Sequence, residues 1–196
     1  MRSTERRDAI LSAALDEFSI RGFEAARLDD VARRAGVAKG TIYLYFRDKE
    51  ALFEELVRVM LVPLVSTMEA PPPPDMPTRV LLNAFVERFV QEIYGTKRRN
   101  VLRLVMTEGP RFPKLAEFYY RNVIERAMAA MRALIERAIQ RGELKHDALL
   151  RFPQLVVAPG VVAIIWSGLF DRFAPLDVSA LMRAQVDILF GKENAS

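Results

Sequence analysis

The sequence predicts an all-α protein, and three observations carry that prediction. Apolar residues recur at intervals of three and four along most of the chain, no stretch alternates as a strand would, and glycine or proline closes the periodic runs. Hydrophobic residues make up 51% of the 196 and charged residues 28%, the balance of a chain that folds around a core.

The first helix begins at Ser3 or Thr4, either of which suits an N-cap, with Glu5 favourably placed in the first turn. Ile10, Leu11, Ala14, Leu15 and Phe18 make its apolar stripe, and Gly22 ends it. A short second helix over 28–35 turns Leu28, Val31, Ala32 and Ala35 inward and Arg33 and Arg34 outward. Gly36 supplies the left-handed residue after its end. A third short helix runs from Ala38 or Lys39 to about residue 46. Asp48 then caps a long fourth helix carrying Leu52, Phe53, Leu56, Val57, Met60 and Leu61.

The run "EAPPPPDMP" (69–77) is not helical, because consecutive prolines remove amide donors and clash with the preceding turn; it reads as a stiff connector. Helices follow over 79–94 and from 99 to the Gly109-Pro110 stop. Pro113 opens the next helix, which extends to 141 with Val123, Ala127, Met131, Leu134 and Ala138 at seam-like spacing, and Gly142 terminates it. The apolar stretch 155–170 contains Pro159 and Gly160 and falls short of the ~20 residues a membrane span needs, so it reads as a helix buried against a core and a partner. The last helix, 177–190, puts Val178, Leu181, Met182, Gln185, Val186 and Leu189 on one face.

Composition narrows the chemistry. Without cysteine there is no disulfide, no thiolate nucleophile and no thiolate metal site. The one histidine, His146, lies between Lys145 and Asp147 in a predicted loop, so a histidine-based triad or metal cluster lacks material. The adjacent acidic pairs Asp29-Asp30 and Glu54-Glu55 point apart on a helix and read as solvated faces. No catalytic residue, metal or cofactor is expected. The N-terminus "MRSTERRDAILSAALDEF" has no apolar signal core, and a cytoplasmic location is expected. A membrane-surface role needs a strongly basic amphipathic helix; the candidate over 121–141 is interrupted by Glu125 and Glu136, so no membrane partner is expected.

Charge must be read locally. The net charge is +4, yet residues 1–55 hold ten basic against eleven acidic residues, and only over 27–49 does the balance reach six against three. That window contains a helix, a tight turn through Gly36 and a second helix. In such an arrangement the first helix braces across a nucleic-acid backbone and the second presents its start to the major groove. On the second helix Lys39 adds charge, Thr41 a hydroxyl and Gly40 room for close approach. Tyr43 and Tyr45 offer hydroxyls to phosphate or apolar contact to a thymine methyl. Lys49 is placed to hold the flanking phosphate.

The stretch "DDVARRAGVAKGTIYLYFRDKEALF" closely resembles the DNA-binding segment of the TetR (tetracycline-repressor-like) family of transcriptional regulators, over about the first 55 residues. The resemblance implies an all-helical homodimer, with a three-helix helix-turn-helix domain over 1–48 and a larger effector-binding and dimerisation domain over 49–196. It carries DNA contacts onto Ala38, Lys39, Gly40, Thr41, Tyr43, Leu44, Tyr45 and Lys49. Two positions depart from the family pattern: Ala26-Arg27 stands where many members have hydroxyl residues, with Arg27 offering a charged contact instead, and Ala38 stands where serine is usual.

The resemblance further implies a ligand-responsive regulator, a repressor that binds a palindromic operator as a dimer and is released by a small molecule. "TEGPRFPKLAEFYYRNVIER" is similar to the corresponding region of multidrug-efflux-type regulators of this family. Met60, Met68, Phe85, Phe89, Met106, Tyr119 and Trp166, with Arg103, Glu108 and Asn122 as polar candidates, are the residues expected near a pocket for an apolar or aromatic compound. The helices at 155–170 and 177–190 carry more apolar surface than a monomer core needs and are expected to form the dimer.

Overall fold

The computed structural model describes residues 3–144 and 147–191. The description covers twelve α-helices: α1 (Ser3–Ala25), α2 (Leu28–Arg34), α3 (Lys39–Tyr43), α4 (Lys49–Met60), α5 (Val62–Met68), α6 (Thr78–Arg88), α7 (Arg98–Glu108), α8 (Pro113–Tyr119), α9 (Glu125–Gln140), α10 (Ala148–Arg151), α11 (Gln154–Leu169) and α12 (Val178–Phe190). Wide π-helical turns continue α6 through Phe89–Tyr94 and join α8 to α9 through Tyr120–Ile124. No strand occurs among the described residues, so the all-α prediction holds.

Most predicted boundaries are met, for the reasons given. Asp48 caps α4 by accepting from the Ala51 amide at 2.7 Å, and Asp177 caps α12 in the same way at 2.9 Å. Gly36 and Gly142 adopt φ of 68° and 71° after their helices. Several details differ: the fourth helix ends at Met60 with a separate α5 after it, and the helix expected over 113–141 is interrupted at Tyr120–Ile124. Gly22, with φ 76° and ψ 165°, breaks the regular helix as expected, but helical bonding resumes through Ala25. The third helix is shorter than predicted, because Leu44 and Tyr45 form a turn that bonds back to Thr41 and Ile42. The short α10 was not expected from the sequence, and His146 lies outside the described residues.

The chain packs as two compact units. The first comprises residues 1–64 and 100–124, so α7 and α8 belong with the N-terminal helices. Its aromatic centre is Phe23, whose ring meets Phe18 at 5.2 Å, Phe53 at 6.1 Å and Phe112 at 4.9 Å between centroids. The second unit comprises 65–99 and 125–196. Its core joins Leu82 and Val86 of α6, Met131, Ile135 and Ala138 of α9, and Met182 and Val186 of α12. The tip of the Phe89 ring lies against Gly160 of α11, where an added Cβ would be 2.9 Å from Cζ, so a larger residue there would displace the ring.

Candidate nucleic-acid interface

Three helices position the candidate reading surface. α1 and α2 are pinned by a buried carboxylate: Glu17, 1% exposed, forms an ion pair with Arg21 Nε at 2.8 Å through one oxygen and accepts from Arg34 Nη2 at 3.1 Å on the other. A carboxylate buried this deeply is tolerable because two guanidiniums neutralise it. Arg34 is therefore engaged within the fold. Arg33 pairs with Asp30 at 3.0 Å on an exposed face.

The short α3 is anchored by two apolar side chains and displays the rest. Ile42 is fully buried and Phe46 is 5% exposed, and they fasten the helix to the unit below. The opposite side carries Ala38, Lys39, Gly40, Tyr43 and Leu44, all exposed. Tyr43 is 50% and Leu44 82% exposed, and a Cβ built on Gly40 would meet nothing within 4 Å. Gly40 thus leaves the helix flat on its open side. Neither α2 nor α3 has a side-chain cap, since Arg27 and Ala38 occupy the N-cap positions without a cap hydrogen bond. The missing hydroxyls noted in the sequence are missing caps in the structure.

The polar candidates divide into engaged and open groups. Lys39 Nζ donates to Asp29 Oδ2 at 2.7 Å, and that hydrogen bond, with the nearby charge, raises the lysine above its ordinary pKa. Tyr45 turns inward along the surface, its hydroxyl 3.0 Å from Ser3 Oγ. Lys49 does something the sequence did not disclose. Its ammonium donates to the carbonyls of Phe23 at 2.9 Å and Glu24 at 2.8 Å, and lies 4.8 Å from the Phe23 ring centroid. It caps the end of α1, which uses two of its three donors. Thr41 is partly buried. Arg27 is exposed, and no hydrogen bond or ion pair engages its side chain among the described residues.

The expected pocket residues fall in different places. Met68 and Phe85 line a cavity of about 1060 Å³ in the second unit, bounded by α6, α9 and the proline run. Phe89 lies against Gly160 and the core rather than in the cavity lining. Met60, Arg103, Met106, Tyr119, Glu108 and Asn122 belong to the first unit. There burial raises the Tyr119 phenol pKa, and Asn122 donates to the Phe118 carbonyl at 2.8 Å. Trp166 donates its indole N–H to the Ala174 carbonyl at 2.6 Å and packs on Phe170.

Beyond Met68 and Phe85, the cavity wall is built from residues not expected there. Ala84, Ala129, Ala130 and Ala133 leave it open by being small, and Leu81, Leu134 and Pro71 to Pro73 complete the apolar wall. The legible signal was "AMAAMRAL", alanines at helical spacing where larger side chains would close the space. No group of three metal-ligating side chains forms, and no helix is long and apolar enough to cross a membrane, among the described residues.

Comparison with known proteins decides the family. Residues 10–56 match "Bacterial regulatory proteins, tetR family" and residues 72–187 match "Tetracyclin repressor-like, C-terminal domain". The chain belongs to the TetR family. This TetR-family chain is 32% identical over 143 residues to the uncharacterized HTH-type transcriptional regulator YdeS of Bacillus subtilis, covering 71% of this chain and 67% of that one. It is 43% identical to YdgC of the same organism over 56 residues, 29% of each chain. Among solved structures it resembles Salmonella enterica GusR, with a TM-score of 0.75 at 21% identity over 98% of both chains. FadR of Bacillus subtilis, solved in complex with stearoyl-CoA, shares the fold with a TM-score of 0.71 at 20% identity, over 94% of this chain and 97% of that one. TetR-family proteins are DNA-binding transcriptional regulators, not a family of enzymes.

Proposed function

We propose that this TetR-family regulator is a repressor that binds a palindromic operator as a homodimer and lets go when a small apolar or aromatic molecule occupies its C-terminal region. The observation that carries the DNA half is the division of α3. Ile42 and Phe46 anchor it, while Ala38, Lys39, Gly40, Tyr43 and Leu44 are exposed and nothing lies within 4 Å of a Cβ built on Gly40. Laid in a major groove, that face puts Tyr43 and Leu44 at base edges. Lys39, Thr41 and the exposed Arg27 face the flanking phosphates, and the third donor of Lys49 is available to one more. Lys39 exchanges Asp29 for phosphate on binding, and both are exposed, so the exchange is cheap. Tyr45, held on Ser3, joins the contact set by orienting the N-terminus of α1 at the same surface.

The homodimer reading rests on unpartnered apolar side chains of the last two long helices. Val161, Val162, Ile165 and Leu169 of α11 and Ile188 of α12 are 43–76% exposed. Dimerisation matches a two-fold operator with half-sites about 34–36 Å apart or somewhat more. The effector reading rests on the cavity. Its arginines are committed within the unit: Arg126 to Glu69, Arg88 to Thr67 and Glu92, and Arg137 to loop carbonyls. What remains for a ligand is the alanine, leucine, proline, Met68 and Phe85 surface with the Gln91 amide, which suits a largely apolar, uncharged body.

Selection of bound sequences from random duplex DNA tests the reading. An inverted repeat should emerge, and its affinity should fall on adding an effector drawn from a panel of aromatic and long-chain acyl compounds. Recovery of no preferred duplex would overturn the DNA half; specific binding that no panel member alters would count against the effector class.

A further inference from the structure

Among the described residues Leu44 is the most exposed of the large apolar side chains, at 82%, and it sits at the C-terminal end of α3 beside Tyr43. A leucine has no donor or acceptor, so it cannot hold a phosphate or read the polar atoms of a base edge. On a face otherwise built of alanine, lysine, glycine and tyrosine, it is the one large side chain without a polar atom. The apolar group that base edges present in the major groove is the C5-methyl of thymine.

We propose that Leu44 is a specificity-determining residue that reads a thymine in each half-site through its C5-methyl group. The inference rests on the reading of α3 as the groove-entering helix, and it adds which base is read and how. Three features of the structure place Leu44 for the task. The buried Ile42 and Phe46 on either side fix the backbone that carries it. Gly40, one turn earlier, has no side chain and nothing within 4 Å of where one would be, so the helix approaches the base edges closely. The turn at residues 44–45, held by bonds from Leu44 N to Thr41 O at 3.2 Å and from Tyr45 N to Ile42 O at 3.0 Å, keeps Leu44 at the projecting end rather than along a longer helix. Tyr43 beside it retains a hydroxyl for a phosphate or a polar base atom, so the two neighbours divide the polar and apolar work.

The test is a cycle between protein and DNA with the full-length chain. In the selected duplex, each thymine is replaced in turn by deoxyuridine, which removes the methyl group and leaves every hydrogen-bonding atom in place. Affinities are measured for the wild type and for Leu44→Ala. Removing one buried methyl is expected to weaken wild-type binding about fourfold per half-site, and about fifteenfold when both half-sites are changed. The same replacement should leave Leu44→Ala within about 1.5-fold of its own affinity for the parent duplex. Because the side chain is exposed, Leu44→Ala should keep the wild-type melting temperature, which a thermal scan confirms. Equal losses for both proteins at every thymine, or a selected duplex without a preferred thymine in its half-sites, would overturn the assignment while leaving specific DNA binding intact. Failure of the wild type to select any duplex would overturn it together with the reading on which it rests.

Discussion

Ala38 shows how much one atom changes at the start of a recognition helix. It occupies the N-cap of α3 with φ −64° and ψ 147°, the extended conformation in which a serine hydroxyl reaches the amides of the first turn. With alanine those amides have no side-chain partner, and a five-residue helix has little else to hold it. Ala38→Ser is expected to stabilise the protein by about 1 kcal/mol, read as a rise in melting temperature. A fall would mean that the amides are already satisfied.

Lys49 makes the complementary case. The sequence assigns it a phosphate, whereas its geometry adds a second task as the cap of α1, on the carbonyls of Phe23 and Glu24. Lys49→Ala should therefore lower thermal stability by about 1–3 kcal/mol as well as DNA affinity. It should also reduce the slope of log affinity against log salt by about one, through the third donor. Loss of stability with an unchanged slope would make the residue structural alone. Nothing in the sequence could separate these roles, because the carbonyls it meets lie 25 and 26 residues away.

At the scale of elements, the proline run and α9 form a matched pair. Proline has no amide donor but keeps its carbonyl, and arginine has donors and no acceptor. Arg137 Nη2 reaches the carbonyls of Pro73, Pro74 and Met76 at 3.1, 2.9 and 2.8 Å, and Arg141 reaches Pro74 at 2.8 Å. The loop was legible as a stiff connector because proline excludes helix. Its tether was not legible, since arginines on an amphipathic helix read equally as a solvated face.

The start of α6 depends on a similar long-range contact. Pro77 supplies no side-chain cap, and Glu143 accepts from the Thr78 amide at 2.7 Å instead. Burial would raise the Glu143 pKa, but hydrogen bonds from Thr78 and Arg141 outweigh it and hold the carboxyl below its ordinary value. A carboxyl depressed in the folded state stabilises the protein above its unfolded pKa of about 4.3, and that contribution is lost as pH falls through the lower folded value. Wild type should therefore exceed Glu143→Gln in stability at pH 7, and the gap should close on acidification below about pH 4. A gap independent of pH would remove the charge from the explanation.

The whole molecule was legible where period and punctuation agree, as in α1, α2, α4 and α12. It was less legible where packing overrides them. The π-helical turns at 89–94 and 120–124 keep a helical apolar pattern, so periodicity cannot separate them from α-helix. The cavity was legible only in part: Met68 and Phe85 lie in its wall as large side chains do, but the space itself is left by alanines, which carry no such signal. The grouping of residues 100–124 with the N-terminal helices arises from contacts such as Phe112 on Phe23, which no local pattern announces.

Association belongs to the same scale. Ile165 is 46% exposed on α11 among Val161, Val162 and Leu169. A charge placed there costs the free chain little and opposes burial against a second copy. Ile165→Asp is expected to sediment as a monomer and to lose operator affinity while keeping its helical content. A dimer that survives the change would move the interface elsewhere.

The account depends most on α3 lying in the major groove, and methylation interference on the selected duplex tests that directly. Guanine N7 is exposed in the major groove and adenine N3 in the minor groove. The account predicts that methylated guanines within the two half-sites block binding while methylated adenines there do not. Interference confined to adenine N3, or absent from both half-sites, would contradict it.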